Sequence, residues 1–274
     1  MPEQLGYIKA LDGSPLYAAY HSPDNGKPAS ALPVVIVPPL FEERKSAYTT
    51  MRRLALELAA AGHSVMRFDY RGSGESGSSS AIRRWEHLAQ DVATVRKTLA
   101  SLAGKRDSAL VGLRLGATLA LQETGRAGGE RVVALAPIVA GATQVRLWKM
   151  RSKIRSELTI PESIGDSERT PQSAFRNPHS ATLLDFDGYD VDTCFFDDIA
   201  TINLAKDLGK LSCPGLIMQL SHRANAASET TQLMAALGSR AKLECLRMEP
   251  FWDKLDDVDT DPMIHRVVEF MGEH

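Results

Sequence analysis

The chain has 274 residues, is 43% hydrophobic and 24% charged, and carries a formal net charge of −2. Such a length suits one α/β domain with an insertion, or two small domains, and the near-neutral charge gives neither nucleic acid nor an anionic membrane surface a reason to bind. Cys194, Cys213 and Cys245 are odd in number and lack C-x-x-C spacing, residues 1–5 form no basic, apolar leader, and no apolar run approaches the roughly 20 residues of a membrane span, so the composition predicts a cytoplasmic protein without disulfides or zinc.

Two short alternating segments at 6–10 and 16–19, joined by Asp12-Gly13-Ser14-Pro15, predict an antiparallel hairpin. A loop at 23–33 leads into a buried strand at 33–37, closed by Pro38-Pro39. Helical periodicity at 46–61 stops at Gly62. A second buried strand is expected at 63–70, then a glycine-rich loop at 72–77 and an amphipathic helix at 83–102. Residues 108–111 form a strand, 115–124 a helix, and 131–136 another strand ended by Pro137. Apolar strands alternating with helices predict a mostly parallel sheet covered on both faces.

The alternation then breaks. Residues 140–160 read as a basic-faced helix, 161–178 as a polar stretch and 183–196 as acidic and aromatic. The expectation is an inserted lid over 141–204 and a core built from 1–140 and 205–274. The pattern resumes with a strand at 214–220, a helix at 226–237, a strand at 242–248 and a helix at 261–270.

Gly112-Leu113-Arg114-Leu115-Gly116 lies between a strand and a helix, the setting of the G-x-S-x-G turn that presents a nucleophilic serine. Here the presented residue is Arg114, whose guanidinium has no acceptor lone pair and cannot attack a carbonyl. With Phe68-Asp69-Tyr70-Arg71-Gly72-Ser73-Gly74 after the second central strand, the chain resembles the α/β-hydrolases over nearly its whole length. The segments 37–43, 112–117, 137–141, 186–189 and 250–252 resemble, more narrowly, bacterial serine aminopeptidase-like hydrolases of the exosortase A-associated group. The resemblance implies an α/β-hydrolase fold with a lid. It also implies a Ser, acid, His triad in that chain order.

The chain departs from that triad at each position. No carboxylate stands at 221–227, where the acid would lie, and no histidine at 249–253. Pro38 and Pro39 bring no backbone N–H to the oxyanion loop, which leaves Leu40 and Leu115 as donors. The expected function is therefore a non-catalytic protein that binds a small anionic or acyl ligand, or a partner protein, without cofactor or metal. The expected pocket comprises Arg114, Leu115, Leu40, Glu42, Glu43, Arg71, Glu249 and Trp252, with Glu43 or Glu249 as counter-ion to the arginine. The alternative is a serine hydrolase with relocated groups: Ser73 or Ser221 as nucleophile and His222 as base.

Overall fold

A computed structural model describes residues 3–23, 32–76, 82, 84–158, 183–186, 188–223, 225–254 and 258–273. The polar stretch 161–178 and most of the loop 23–33 lie outside the described residues.

The chain opens with the expected hairpin, β1 (Glu3–Lys9) and β2 (Pro15–His21), somewhat longer than its alternation suggested. The parallel strands β3 (Val34–Val37), β4 (Val65–Phe68), β5 (Ala109–Leu113) and β6 (Val132–Leu135) follow. Next come β7 (Leu183–Phe186) and β8 (Tyr189–Asp192), a separate hairpin, and then β9 (Gly215–Ser221) and β10 (Ala241–Arg247). The main sheet has eight strands in the order β1-β2-β4-β3-β5-β6-β9-β10. Only the pairings of β2 with β1 and with β4 are antiparallel. This is the mostly parallel α/β-hydrolase architecture the sequence predicted.

Period-two alternation divides β3 between two layers. Val34 and Ile36 pack in one core layer with α1 (Phe41–Ala60) and α8 (Asp261–Gly272). Val35 and Val37 pack in the other with α2 (Trp85–Leu102) and α3 (Leu115–Ala127). Helix α1 begins five residues before the predicted 46, because Phe41 enters with φ 55° and Glu42 and Glu43 occupy the first turn. Carboxylates there favour the positive end of the helix dipole.

Between β6 and β9 the chain carries α4 (Gly141–Leu158), the β7–β8 hairpin, α5 (Thr193–Thr201) and the short α6 (Leu204–Asp207). Its two ends are tied together: the Gly141 amide donates to the Ile202 carbonyl at 2.9 Å and the Leu204 amide to the Val139 carbonyl at 2.9 Å. The segment is thus a closed excursion that leaves and rejoins the core at one point. Helix α7 (Ser228–Leu237) lies between β9 and β10.

Candidate functional site at the Arg114 turn

Strand β5 is a buried run of small and branched apolar residues, and it ends in a sharp turn at the C-terminal edge of the sheet. A Cβ at Gly112 would collide with the backbone of Gly116 and Ala117, and a Cβ at Gly116 with the carbonyls of Val37 and Pro38. Only glycine permits both approaches. Between them Arg114 takes φ 56°, ψ −119°, a conformation side-chain-bearing residues rarely adopt. Its amide donates to the Leu135 carbonyl at 2.9 Å and its carbonyl receives the Thr118 amide at 3.1 Å, so the turn is held from both sides. The sharp strand–helix turn that the Gly-x-x-x-Gly spacing predicts is present; its tip residue is an arginine.

The guanidinium makes three different contacts. Nε donates to Glu43 Oε1 at 3.2 Å, one terminal nitrogen to the Ala136 carbonyl at 3.3 Å, and the other to Gln144 Oε1 at 3.0 Å. The Trp252 ring lies 5.3 Å from the guanidinium carbon, within cation–π range. Each terminal nitrogen carries a second N–H beyond these bonds. The Arg114 side chain is 19% exposed and that of Glu43 8%. Burial pushes the Glu43 carboxyl above its ordinary value; Arg114 opposes that rise and Asp253 adds to it. A carboxylate this buried is held by one bond rather than by a bidentate clamp.

The strained residues converge here. Among the described residues, the non-glycine positions with positive φ are Phe41, Arg114 and Ala136, which follow β3, β5 and β6 at the same sheet edge. Ala136 directs its carbonyl to Arg114. Each such conformation costs about 1–3 kcal/mol and persists only where surrounding structure imposes it.

Of the expected pocket residues, the structure brings Glu43 and Trp252 onto Arg114. Leu115 is the first residue of α3, where its amide has no acceptor within the helix, and Leu40 precedes α1; both side chains are buried. Glu42 pairs instead with Lys45 at 2.7 Å on the surface, and Glu249 pairs with Lys254. Arg71 turns away into the core: its Nε donates to Asp91 at 2.8 Å, and a terminal nitrogen to Asp12 at 2.7 Å, clamping the β1–β2 turn against α2. Ser73 Oγ is buried and donates to the Tyr70 carbonyl at 3.0 Å, a turn contact. Ser221 Oγ donates to the Arg223 carbonyl at 3.3 Å and accepts from the Arg223 amide at 3.2 Å, while the neighbouring His222 is exposed.

Two contributors escaped the sequence reading. Gln144 and Ala136 belong to no motif, and a glutamine on a helix announces nothing until the helix is placed over the sheet. Above the turn, Phe41 sits in a block of rings. Its centroid lies 5.3 Å from Trp148, 4.9 Å from Phe186, 5.4 Å from Tyr189 and 6.1 Å from Phe195. Tyr189 also donates its hydroxyl to the Phe41 carbonyl at 3.3 Å. The rings pack edge to face on one another between the described part of the excursion and the start of α1. Arg151 of α4 reaches Asp253 at 3.1 Å, tying α4 to the loop that carries Trp252.

Residues 40–239 match the family of serine aminopeptidases, S33. Among curated proteins nothing matches the chain. Similar solved structures include Est1E from Butyrivibrio proteoclasticus, with 16% identity, a TM-score of 0.65 and coverage of 97% of each chain. A proline iminopeptidase from Mycobacterium smegmatis aligns with 13% identity and a TM-score of 0.66, covering 98% of this chain and 97% of that one. The Pyrococcus furiosus esterase PF2001 aligns with 16% identity and a TM-score of 0.66, covering 98% and 90%. Likeness at that identity concerns the fold, and the family match, over more than half of the chain, says more: this protein belongs to the serine aminopeptidase (S33) family of α/β-hydrolase-fold proteins.

Proposed function

We propose that this family member performs no acyl-enzyme chemistry at its turn and instead binds a small anion, carboxylates included, on Arg114. The observation that carries the reading is the guanidinium itself, presented by a strained turn at the N-terminus of α3 and balanced by a single-bond contact to Glu43. Helix N-termini favour negative charge, and a guanidinium offers a forked donor pair. An arriving anion takes the two remaining terminal N–H groups, and its charge favours the protonated form of Glu43, whose carboxyl is already raised by burial. Residues 141–204 act as the lid over this site, and their self-packed rings restrict an acyl ligand to a short chain. The narrower likeness to the exosortase A-associated group belongs to the same proposal.

Sulfate keeps its charge between pH 5 and 8 and is the suitable probe, with butyrate as the acyl carboxylate. Calorimetric titration is expected to show sulfate binding that tightens as the pH falls. Glu43→Gln, which imitates the protonated acid, should tighten binding at neutral pH and flatten its pH dependence. Equal binding by wild type and Arg114→Ala would overturn the proposal. Stoichiometric labelling by a fluorophosphonate, abolished by substitution of Ser73 or Ser221, would replace it with the relocated-hydrolase reading.

A further inference from the structure

The outer edge of β1 carries a pattern that suits a second copy of this chain. Among the described residues nothing pairs with that edge, and Leu5 and Tyr7 on it are 62% and 64% exposed. Long, apolar, unpaired edges are normally blunted, because their free N–H and C=O groups recruit another strand.

The hydrogen-bonding phase of the edge follows from β2. The Tyr17 carbonyl accepts from the Asp69 amide at 2.9 Å and the Tyr17 amide donates to Ser76 Oγ at 2.8 Å, so Tyr17 directs its backbone away from β1. Its partner across the pair is Tyr7, and Gly6 faces Ala18. In an antiparallel ladder, hydrogen-bonded and non-bonded pairs alternate. The amides and carbonyls of Gln4, Gly6 and Ile8 therefore serve β2, while those of Glu3, Leu5, Tyr7 and Lys9 point outward.

We infer that two copies of the chain pair through β1, antiparallel, about a two-fold axis at Gly6. The phase fixes the register. Gly6 meets Gly6 of the second copy as a non-bonded pair, the closest approach in such a ladder, which a residue without a side chain accommodates. Leu5 and Tyr7 then form two reciprocal hydrogen-bonded pairs that bury both exposed side chains. Glu3, which already pairs with Arg67 and with Arg52 at 3.4 Å in its own chain, falls opposite Lys9, a complementary contact made twice in which Lys9 joins that cluster from the second copy. Shifting the axis to Tyr7 would place Lys9 against Leu5 and lose that match. A groove of about 380 Å³ lined by Gly6, Ile8, Tyr20, Met66 and Leu102 runs to the same seam, with Leu102 exposed beside it. The result is an isologous dimer with one continuous sheet through both copies.

Sedimentation velocity on the full chain is expected to show a reversible dimer in the micromolar range. Tyr7→Pro removes an outward N–H without touching the β1–β2 hydrogen bonds, and it should give a monomer that still unfolds cooperatively, at a midpoint that no longer depends on protein concentration. Lys9→Glu should weaken the dimer through Glu3, with recovery at high salt. Gly6→Cys, in a Cys194→Ser, Cys245→Ser background, should cross-link fully on oxidation, since a Cβ there meets nothing within 4 Å of its own chain. A native chain that is monomeric throughout that range overturns the inference. So does a dimer that survives both Tyr7→Pro and Lys9→Glu and leaves Gly6→Cys uncross-linked.

Discussion

Arg114→Leu should destabilise the protein in a manner that depends on pH. Removing the guanidinium strands Glu43, 8% exposed in its side chain, next to Asp253. The carboxyl avoids an uncompensated buried charge by taking up a proton. Holding a group of ordinary value 4.5 protonated at pH 7 costs about 3.4 kcal/mol, at about 1.36 kcal/mol per pH unit, and this caps the electrostatic loss. Loss of the bonds to Gln144 and the Ala136 carbonyl adds about 1 kcal/mol each, and loss of the Trp252 contact about 0.5–1 kcal/mol. The new apolar side chain returns part of that, so a net loss of about 3–5 kcal/mol is expected at pH 7.

The sign of the pH effect follows from the direction of the carboxyl's displacement. A glutamate raised in the folded state stabilises that state below its ordinary value and loses that benefit as pH climbs through the raised one. Removing Arg114 raises Glu43 further and widens the window. At pH 5 the protonation cost falls to about 0.7 kcal/mol, so the penalty of the substitution should shrink by about 2 kcal/mol between pH 7 and pH 5. Urea unfolding at intermediate pH values reads this directly. The combined variant Arg114→Leu, Glu43→Gln should show no such trend. A single-variant penalty that is equal at pH 5 and pH 7 would refute the ion-pair account of this turn.

Other outcomes follow from the same site. Arg114→Ser recreates the Gly-Leu-Ser-Leu-Gly spacing but supplies no histidine to the 249–253 loop; hydrolysis of p-nitrophenyl acetate should stay at background, and measurable turnover would point to a hidden base. Gly116→Ala places a methyl against the carbonyls of Val37 and Pro38 and should cost at least about 3 kcal/mol by chemical unfolding. Phe41→Ala empties the centre of the ring block and should cost about 3–5 kcal/mol, with a red shift of Trp148 emission.

The sequence exposed what repeats and hid what converges. Buried strands such as Val34–Val37 and Val132–Leu135 are uninterrupted apolar runs, and the turn was marked by two glycines at fixed spacing. The early start of α1 was signalled by Glu42 and Glu43, but Pro39 and the positive φ of Phe41 masked it. The β7–β8 hairpin went unread in a stretch taken only as acidic and aromatic, although Asp187-Gly188 between apolar residues is a hairpin signal. Arg71 and Glu249 misled because a loop at the right sheet edge fixes a residue's neighbourhood, not its direction. Arg71 found Asp91 twenty positions away on α2, which no local pattern relates to it. Gln144 was silent for the same reason: its role depends on where α4 crosses the sheet.

The turn at residue 114 owes its shape to backbone against backbone, through Gly112, Gly116 and the ends of β3 and β6. None of those contacts involves the side chain it displays. The position therefore works as an interchangeable mount: cysteine, histidine or lysine placed there would meet the same helix terminus at the same angle. A series of such replacements would turn this protein into a calibrated gauge of the electric field at the tip of the turn, read from the titration of one group at a time.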